Sequence, residues 1–354
     1  MSLNLFPRIP LPSLCRTVAL AALTLGAPSA LASEPSPPPA EPPSAESPPS
    51  PAEPEDDDAR ETAAPEPTIE EAAFTAAMKT PSAEAVKRCG AGVAGMDEVL
   101  SLGGVLLLGE LHGTKEVPAF VRTVGCHVAS AGVPVVVGLE VPREEQRALR
   151  RYLKTDGGKQ ARASLTEGAF WRRPHQDGRG SEAMVALVEG LRVLRTQGLN
   201  VSVFAYDAPG QGSERAAHMA KRVLEVRKAA PKSNFVLLGG NVNARTVRGT
   251  EWDETFTPMG WHLLRAKQPV RSLDIRYGKG SAWNCTLGEG QKLSCGVTPA
   301  VPPAARGNDK NVYRGPRAFV ELTPAFKHEG FDGIFYVGPL TASPPAVSFT
   351  AASH

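Results

Sequence analysis

A carboxylate and an imidazole lie two positions apart in this sequence, directly after the apolar run VLLL at residues 105–108. In an extended segment Glu110 and His112 point to the same side, so the carboxylate can hydrogen-bond the imidazole and select its tautomer. Such a pair can make the histidine a general base toward water, or both groups can bind one metal ion. Gly109 and Gly113 would let the backbone approach a ligand closely. These residue types predict a chemical site, with an ordinary strand end as the alternative.

Three further apolar runs also lead into polar side chains. Glu140 ends the run VVVGLE, Asp207 ends VFAYD, and Asn241 and Asn243 follow FVLLGG. Ligands of an open parallel sheet bind beyond the carboxyl ends of its strands. We therefore expect Glu140 to join the catalytic pair. The substrate contacts are expected to include Asp207, Asn241 and Asn243. The alternatives are a turn residue at Asp207 and a helix cap at Glu140.

Two shorter segments add candidates. Asp177 and Arg179 lie in the segment QDGRGS, directly before an amphipathic stretch. A guanidinium beside a helix N-terminus can hold an anion or a developing oxyanion, with a plain Asp-Gly turn as the alternative. Glu116 is expected either in the catalytic set or as the acidic residue of the next helix's first turn. The sequence has no G-x-S-x-G, Walker or H-E-x-x-H motif, which disfavours a serine hydrolase.

The candidate residues are separated by a regular alternation of apolar runs and amphipathic segments. The runs are mostly continuous, as in strands buried on both faces, and they lie at residues 105–108, 133–140, 201–207, 235–241, 270–278 and 333–339. The amphipathic segments include 181–197 and 213–229, with Ser181 and Ser213 as predicted N-caps. The alternation predicts an α/β fold with a mainly parallel sheet and helices on both faces.

Composition divides the chain into three parts. Residues 1–32 combine two arginines, an apolar stretch and the small-residue pattern ALA, which predicts a cleaved signal peptide. Residues 33–68 are rich in Pro, Ala, Ser and Glu, which predicts a disordered linker. Residues 69–354 are expected to form a single α/β domain with a loop insertion at about 279–312. The protein is therefore expected to be secreted or periplasmic, with no transmembrane span after signal cleavage.

Four cysteines remain after the predicted signal peptide. An even number in a chain bound for an oxidising compartment predicts disulfides, and four cysteines allow three pairings. The most local pairing joins Cys285 to Cys295, which leaves Cys89 to join Cys126. The sequence contains no C-x-x-C pair, so a zinc ribbon and thioredoxin-type chemistry have no support.

The small net charge of +2 hides an asymmetry along the chain. Residues 33–72 carry 12 acidic side chains and one basic, which leaves 36 Lys and Arg against 25 Asp and Glu from residue 73 onward. A basic domain favours an anionic envelope surface, an anionic substrate or the acidic linker itself as partner, with a solvated surface as the alternative. We expect a small-molecule or peptide substrate. Nucleic acid is not expected, because no stripe of Lys and Arg is interleaved with aromatic residues.

Several segments together resemble the superfamily that groups erythromycin esterases, ChaN-like haem-binding proteins and Tiki-type metalloproteases. The matching segments lie between residues 105 and 346 and are LLLGELHGTKEVP, VVVGLEVPREEQ, FWRRPHQDGRGSEAM, VFAYDA, GGNVNARTVRG, TPMGWHL and GFDGIFYVGPLTASPPA. The chain looks most like uncharacterised secreted bacterial members. The resemblance implies an α/β fold with a cleft at the strand ends. It also implies paired G-x-x-H motifs with a glutamate, which either hold a divalent metal or activate water directly.

The chain departs from that pattern at the second motif. The first is present as Gly109 to His112, but the second reads Gly240-Asn241-Val242-Asn243, and an amide is a weaker ligand than imidazole and no general base. The leading prediction is a hydrolase whose Glu/His cluster activates water on an ester or amide, with Glu110 and His112 as ligands if a divalent metal assists. The alternative is a haem or small-molecule binding protein, or a catalytically inactive member.

Overall fold

The structure, a computed structural model, describes residues 69–288, 292–301 and 317–348. The predicted signal peptide, the predicted linker and residues 289–291 and 302–312 of the predicted insertion lie outside the described residues. Three short helices open the described chain, namely α1 (Glu71–Lys79), α2 (Ala83–Cys89) and α3 (Met96–Val99). Strands and helices then alternate, as the apolar runs predict.

Seven strands form the main sheet of the described residues. From one edge to the other they are β3 (Val201–Asp207), β2 (Val135–Pro142), β4 (Asn234–Gly240), β1 (Val105–Glu110), β5 (Val270–Arg276), β9 (Gly333–Tyr336) and β8 (Phe319–Leu322). The pairings are parallel except for β8, which runs antiparallel to β9 at one edge. The predicted α/β fold with a mainly parallel sheet is confirmed. The antiparallel edge strand β8 was not predicted.

Helices cover both faces of the sheet, because its central strands are apolar on both sides. On one face Leu106 and Leu108 of β1 belong to a core that includes residues of α4 (Glu116–Ser130) and α7 (Glu182–Thr196). On the other face Val105 and Leu107 pack in a second core with residues of α8 (Gly212–Ala229) and α10 (Met259–Arg265). The other helices are α5 (Gln146–Tyr152), α6 (Lys159–Leu165) and α9 (Asn241–Ala244), with 3-10 turns at Arg143–Glu145 and Pro324–Glu329.

One of the two predicted helix caps is correct. The hydroxyl of Ser181 accepts a hydrogen bond from the backbone N–H of Met184 at the start of α7. The prediction for Ser213 is wrong, because α8 already begins at Gly212. The Ser213 hydroxyl instead accepts a hydrogen bond from the backbone N–H of Thr257 at 2.9 Å, which ties α8 to the loop before α10.

The segment expected as a loop insertion folds in part into an antiparallel hairpin of β6 (Gly280–Leu287) and β7 (Leu293–Ala300). Its cross-strand register places Cys285 opposite Cys295, and the two form a disulfide. A second disulfide joins Cys89 in α2 to Cys126 in α4. Both predicted pairings are therefore confirmed, and they are consistent with an oxidising, extracytoplasmic compartment.

The described helices include none that is long and apolar enough to cross a membrane.

Candidate active site

The strand order brings four strand ends side by side along one edge of the sheet. Asp207 ends β3, Glu140 lies close to the end of β2, Gly240 ends β4 and Glu110 ends β1. The three acidic residues are only 4–7% exposed. A buried carboxylate is stable only when it is paired or hydrogen-bonded. The partners of these acids therefore define the site.

Glu110 is paired with His112. The two residues flank Leu111 at the end of β1, and Glu110 Oε1 lies 3.0 Å from His112 Nδ1. This contact matches the hydrogen bond that their spacing predicts. Because the carboxylate binds Nδ1, the proton of a neutral imidazole lies on Nδ1 and the lone pair is on Nε2. The His112 side chain is 23% exposed, so its ring is accessible from solvent.

The backbone after His112 is fixed by two distant segments. The carbonyl oxygen of Gly113 accepts hydrogen bonds from the N–H of Trp283 at 2.9 Å and of Ser343 at 2.8 Å. Gly113 has a φ of 74°, in the region that favours glycine. A side chain here would also collide with the hairpin, because a Cβ on Gly113 would lie 2.1 Å from the Trp283 carbonyl oxygen. The glycine expected to permit close approach of a ligand therefore permits close approach of the hairpin.

Glu140 lies between two guanidinium groups and a backbone N–H. Its Oε2 accepts the N–H of Gly240 at 2.7 Å, and its Oε1 lies 2.8 Å from Arg215 Nη2 and 3.4 Å from Arg179 Nη1. The Gly240 end of β4 also lies beside the histidine, because a Cβ placed on Gly240 would be 3.0 Å from His112 Nε2. Gly240 thus binds the Glu140 carboxylate and lies beside the imidazole of His112.

Arg179 joins three carboxylates that come from different segments. Its Nη1 donates to Asp207 Oδ2 at 2.7 Å and to Glu140, while its Nε and Nη2 both donate to Asp177 Oδ2, at 3.0 and 2.9 Å. Arg215 adds a contact of 2.5 Å to Asp207 Oδ1. Arg173 forms a second ion pair with Asp177. The predicted pair of Asp177 and Arg179 is therefore the point where the loop before α7 attaches to the strand ends.

The surrounding charges set the proton affinity of His112. Burial lowers the pKa of the imidazole, but the carboxylates of Glu110 and Glu140 outweigh it and raise that pKa above the ordinary 6.5, while Arg179 opposes them. Four carboxylates in this cluster face three guanidinium groups, so a protonated His112 brings the charges into balance. The site therefore stabilises the imidazolium form of His112 relative to a free histidine.

The acidic partners respond in the opposite direction. Burial raises the pKa of Glu140, but His112, Arg179 and Arg215 together lower it below its usual value. Burial also raises the pKa of Asp177, but the neighbouring cations, Arg179 above all, outweigh burial and lower that pKa to about 2. Both residues therefore remain carboxylates at neutral pH. Their negative charge is fixed while the proton on His112 is exchangeable.

Six of the nine predicted site residues meet in this cluster, namely Glu110, His112, Glu140, Asp177, Arg179 and Asp207. Glu116 lies in the first turn of α4, where its carboxylate accepts the N–H of Thr341 at 2.8 Å. Asn241 is exposed and Asn243 is half-buried, both in α9 beyond Gly240. Within the described residues, no hydrogen bond joins either amide to the cluster. Their catalytic and binding roles remain predictions.

The residues of the cluster do not fit a metal ion. The described part of the chain contains no group of three or more His, Cys, Asp or Glu side chains that could hold one. Glu140 and Asp207 are already bound by guanidinium groups, which would have to leave before a cation could enter. Asn243 stands where the resembling family has its second histidine, and an amide oxygen is a weaker ligand than imidazole.

A haem group finds equally little support. The neighbours of His112 are carboxylates and guanidinium groups, whereas small-molecule cofactor sites are lined mostly by apolar side chains. A cavity of about 850 Å³ does lie between the segment 91–94, α4 and β8, but its lining includes no histidine.

Three side chains of the cluster were missed in the sequence. Arg215 lies in the first turn of α8. A cation at a helix N-terminus is unfavourable beside the helix dipole unless nearby acids compensate it. An arginine at this position was therefore the available signal in the sequence. Arg173 lies four residues before Asp177, within the block FWRRPHQDGR. Tyr206 is fully buried, and its hydroxyl donates to the Leu238 carbonyl at 2.7 Å. Tyr206 lies next to Asp207 in a continuous apolar run, and nothing in that run distinguishes it in the sequence from an ordinary core residue.

The fold has solved relatives. A variant of the erythromycin esterase EreC in its open conformation superposes with a TM-score of 0.54 at 14% identity, over 70% of this chain and 93% of that one. The described residues share the fold of that erythromycin esterase. A succinoglycan biosynthesis protein superposes with a TM-score of 0.51 at 10% identity, over 69% of this chain and 89% of that one. No protein-family model and no curated sequence matches the chain. The resemblance predicted from the sequence is confirmed at the level of the fold.

Proposed function

We propose that this protein is a secreted or periplasmic hydrolase in which His112 is the general base that activates water against an ester or amide. The observation that carries the proposal is the 3.0 Å contact between His112 Nδ1 and the buried Glu110. It leaves Nε2 as the basic nitrogen, and no group among the described residues forms a hydrogen bond with Nε2. A buried carboxylate behind an imidazole is the arrangement by which histidine is oriented for proton transfer.

The reaction would proceed by two proton transfers at one nitrogen. Nε2 of His112 takes a proton from water as the water oxygen bonds to the carbonyl carbon of the substrate. When the bond to the alcohol or amine breaks, the imidazolium returns that proton to the leaving group. Glu110 and Glu140 stabilise the imidazolium that exists between these steps, which is the state that the cluster favours electrostatically.

For Arg179 we propose a structural role beside the predicted binding of an anion. Its three nitrogens bind three carboxylates, so it holds the acids in place and limits the rise of the His112 pKa. Asn241 is exposed at the start of α9 and remains the proposed contact for the carbonyl oxygen of the substrate. The existence of an esterase with the same fold supports the reaction class, and the substrate remains to be found by assay.

The test compares single variants on a panel of chromogenic esters and amides. We expect His112→Ala to reduce kcat/KM by about 100-fold or more, because it removes the general base. The wild-type rate should increase with pH through a pKa above 6.5, since only the neutral imidazole accepts a proton. The control is His328→Ala, whose side chain is 66% exposed and makes its ion pair with Glu329. Full activity in a folded His112→Ala variant would reject the proposal.

A second candidate function is favoured by one observation. Asn243 stands in the place of the second histidine of the resembling family, and no hydrogen bond among the described residues joins it to His112. This favours a binding protein that keeps the cleft without catalysis. Absence of turnover by folded wild-type protein across the panel, together with saturable binding of one of its compounds, would support this alternative. Addition of haem tests the carrier form, for which a shift of the Soret band is required.

A further inference from the structure

The β6–β7 hairpin contacts the candidate active site through Trp283. Trp283 donates its backbone N–H to the Gly113 carbonyl and its indole Nε1–H to the Gln176 carbonyl, both at 2.9 Å. Gly113 follows His112, and Gln176 precedes Asp177. One residue of the hairpin thus binds two segments: its backbone N–H binds the segment that carries the histidine, and its indole binds the segment that carries the Asp177–Arg179 pair.

The three backbones meet at a spacing that excludes side chains. A Cβ on Gly178 would lie 2.5 Å from the N of Gly113 and 2.8 Å from the Trp283 carbonyl oxygen. Gly178 also has a φ of 94°, which favours glycine. The segment 176–179 is therefore packed directly between the hairpin and the residue after His112, and its path depends on both.

The position of Arg179 follows from this packing. Arg179 comes one residue after Gly178, and its guanidinium reaches Asp207 and Glu140 on two neighbouring strands. Gln176 is also bound from the other side, since its amide donates to the Trp171 carbonyl at 2.5 Å. Cys285 of the hairpin also approaches this segment, since its Sγ lies 3.3 Å from the same Gln176 carbonyl.

We propose that the β6–β7 hairpin is a clamp on the active site, and that Trp283 is the positioning residue through which it holds Arg179 against Glu140 and Asp207. The Cys285–Cys295 disulfide, which links the two strands just beyond Trp283, keeps the hairpin in the shape that the clamp requires. The consequence for catalysis rests on the proposed function, whereas the position of Arg179 can be measured without it.

The first experiment uses Trp283→Phe, which keeps an aromatic ring and removes the indole donor. The readout is the NMR signal of the Arg179 Nη1–H, which donates to Asp207 at the end of β3 at 2.7 Å and is therefore expected to be protected in the wild type. We expect its hydrogen exchange to become about tenfold faster or more, as expected when a hydrogen bond opens locally. The matched control is Trp252→Phe, whose side chain is 73% exposed. An unchanged Arg179 signal in folded Trp283→Phe would overturn the proposal.

A second variant covers the case in which Trp283→Phe does not fold. The double variant Cys285→Ser/Cys295→Ser keeps Trp283 but frees the two strands of the hairpin, and the same faster exchange at Arg179 is expected. Protection equal to that of the wild type would contradict the clamp.

Kinetics provide an independent readout once an ester substrate is known. Displacement of Arg179 removes the cation that opposes the rise of the His112 pKa. Trp283→Phe should therefore lower the rate at pH 7 by about tenfold and recover most of it at higher pH, with KM little changed. An equal loss at every pH would reject the positioning role. If the wild type hydrolyses nothing, the proposed function fails while the exchange measurement still decides on the clamp.

Discussion

Glu110 and Glu140 are buried to the same degree, yet their partners differ in kind. Glu140 is bound by two guanidinium groups and a backbone N–H, so its charge is compensated by fixed cations. The partner of Glu110 in the structure is an imidazole, whose charge depends on pH. Glu140 therefore supports the architecture of the site. Glu110 supports the proton transfer that we propose.

This difference gives a prediction at the residue scale. Glu110→Gln removes the carboxylate that contributes most to raising the pKa of His112, so that pKa should decrease, as measured by NMR titration of the ring protons. The control is Glu116→Gln, since Glu116 binds the Thr341 backbone instead. An unchanged pKa in Glu110→Gln would show that another group holds the imidazolium.

The same pKa has a consequence for stability. A raised pKa in the folded state means that His112 stabilises the fold below the unfolded value of about 6.5, and that this contribution is lost as pH rises through the higher folded value. The contribution of Glu140 has the opposite form, because its pKa is lowered. The stabilisation by Glu140 is present when the pH is above the ordinary pKa of a glutamate, and it is lost as the pH falls through the lower pKa of the folded state.

Among the elements, the parallel strands were predictable and the hairpin was not. Continuous apolar runs such as VLLL and VFAYD mark strands that are covered on both faces, so their positions and their polar ends could be read from the sequence. The hairpin is largely solvent-exposed, and Gly, Asn and Pro obscure its strands. The alternation of Trp283, Cys285 and Leu287 with polar residues was the available signal. Its contact with Gly113 is tertiary and leaves no local pattern.

The tight packing of the hairpin can be tested with a pair of glycine substitutions. Gly113→Ala and Gly198→Ala both force a side chain onto a positive φ, of 74° and 81° respectively. Gly198 has open space around it, so its substitution should cost about 1–2 kcal/mol, the cost of the backbone conformation alone. Gly113→Ala should lower the free energy of unfolding by clearly more, because its Cβ would meet the Trp283 carbonyl. Urea denaturation measures both, and equal losses would contradict the packing.

For the whole molecule, sequence reasoning recovered the class of fold and the edge of the sheet where the acids meet. It could not determine which acids would be compensated, because Arg215 and Arg173 reach the cluster from elements whose orientation depends on packing. The structure places Glu116 in the first turn of α4, and no described hydrogen bond joins Asn241 or Asn243 to the cluster, so the site roles of these three residues remain predictions. The affinity of the basic domain for anionic envelope surfaces remains a prediction, and salt-sensitive binding to anionic vesicles would test it.

The two disulfides should differ in their contribution to global stability. Cys89 and Cys126 are 37 residues apart and tie the N-terminal helices to α4, whereas Cys285 and Cys295 are 10 apart within one hairpin. Closure of the longer loop restricts the unfolded chain more. We expect Cys89→Ser/Cys126→Ser to lower the free energy of unfolding by about 3 kcal/mol, and the hairpin double variant to lower it by less. The opposite order in urea denaturation would contradict this view.

The sheet order also dictates when the molecule can fold. The strand that delivers Glu110 has both of its neighbours far ahead in the chain, since Val105 pairs with Phe235 and with Val270. A nascent polypeptide that ends before β5 leaves one side of this apolar strand without a partner, and such a strand is prone to aggregate. Synthesis must therefore pass residue 276 before the central strand is enclosed, so the chain has to be kept from collapsing or associating until then.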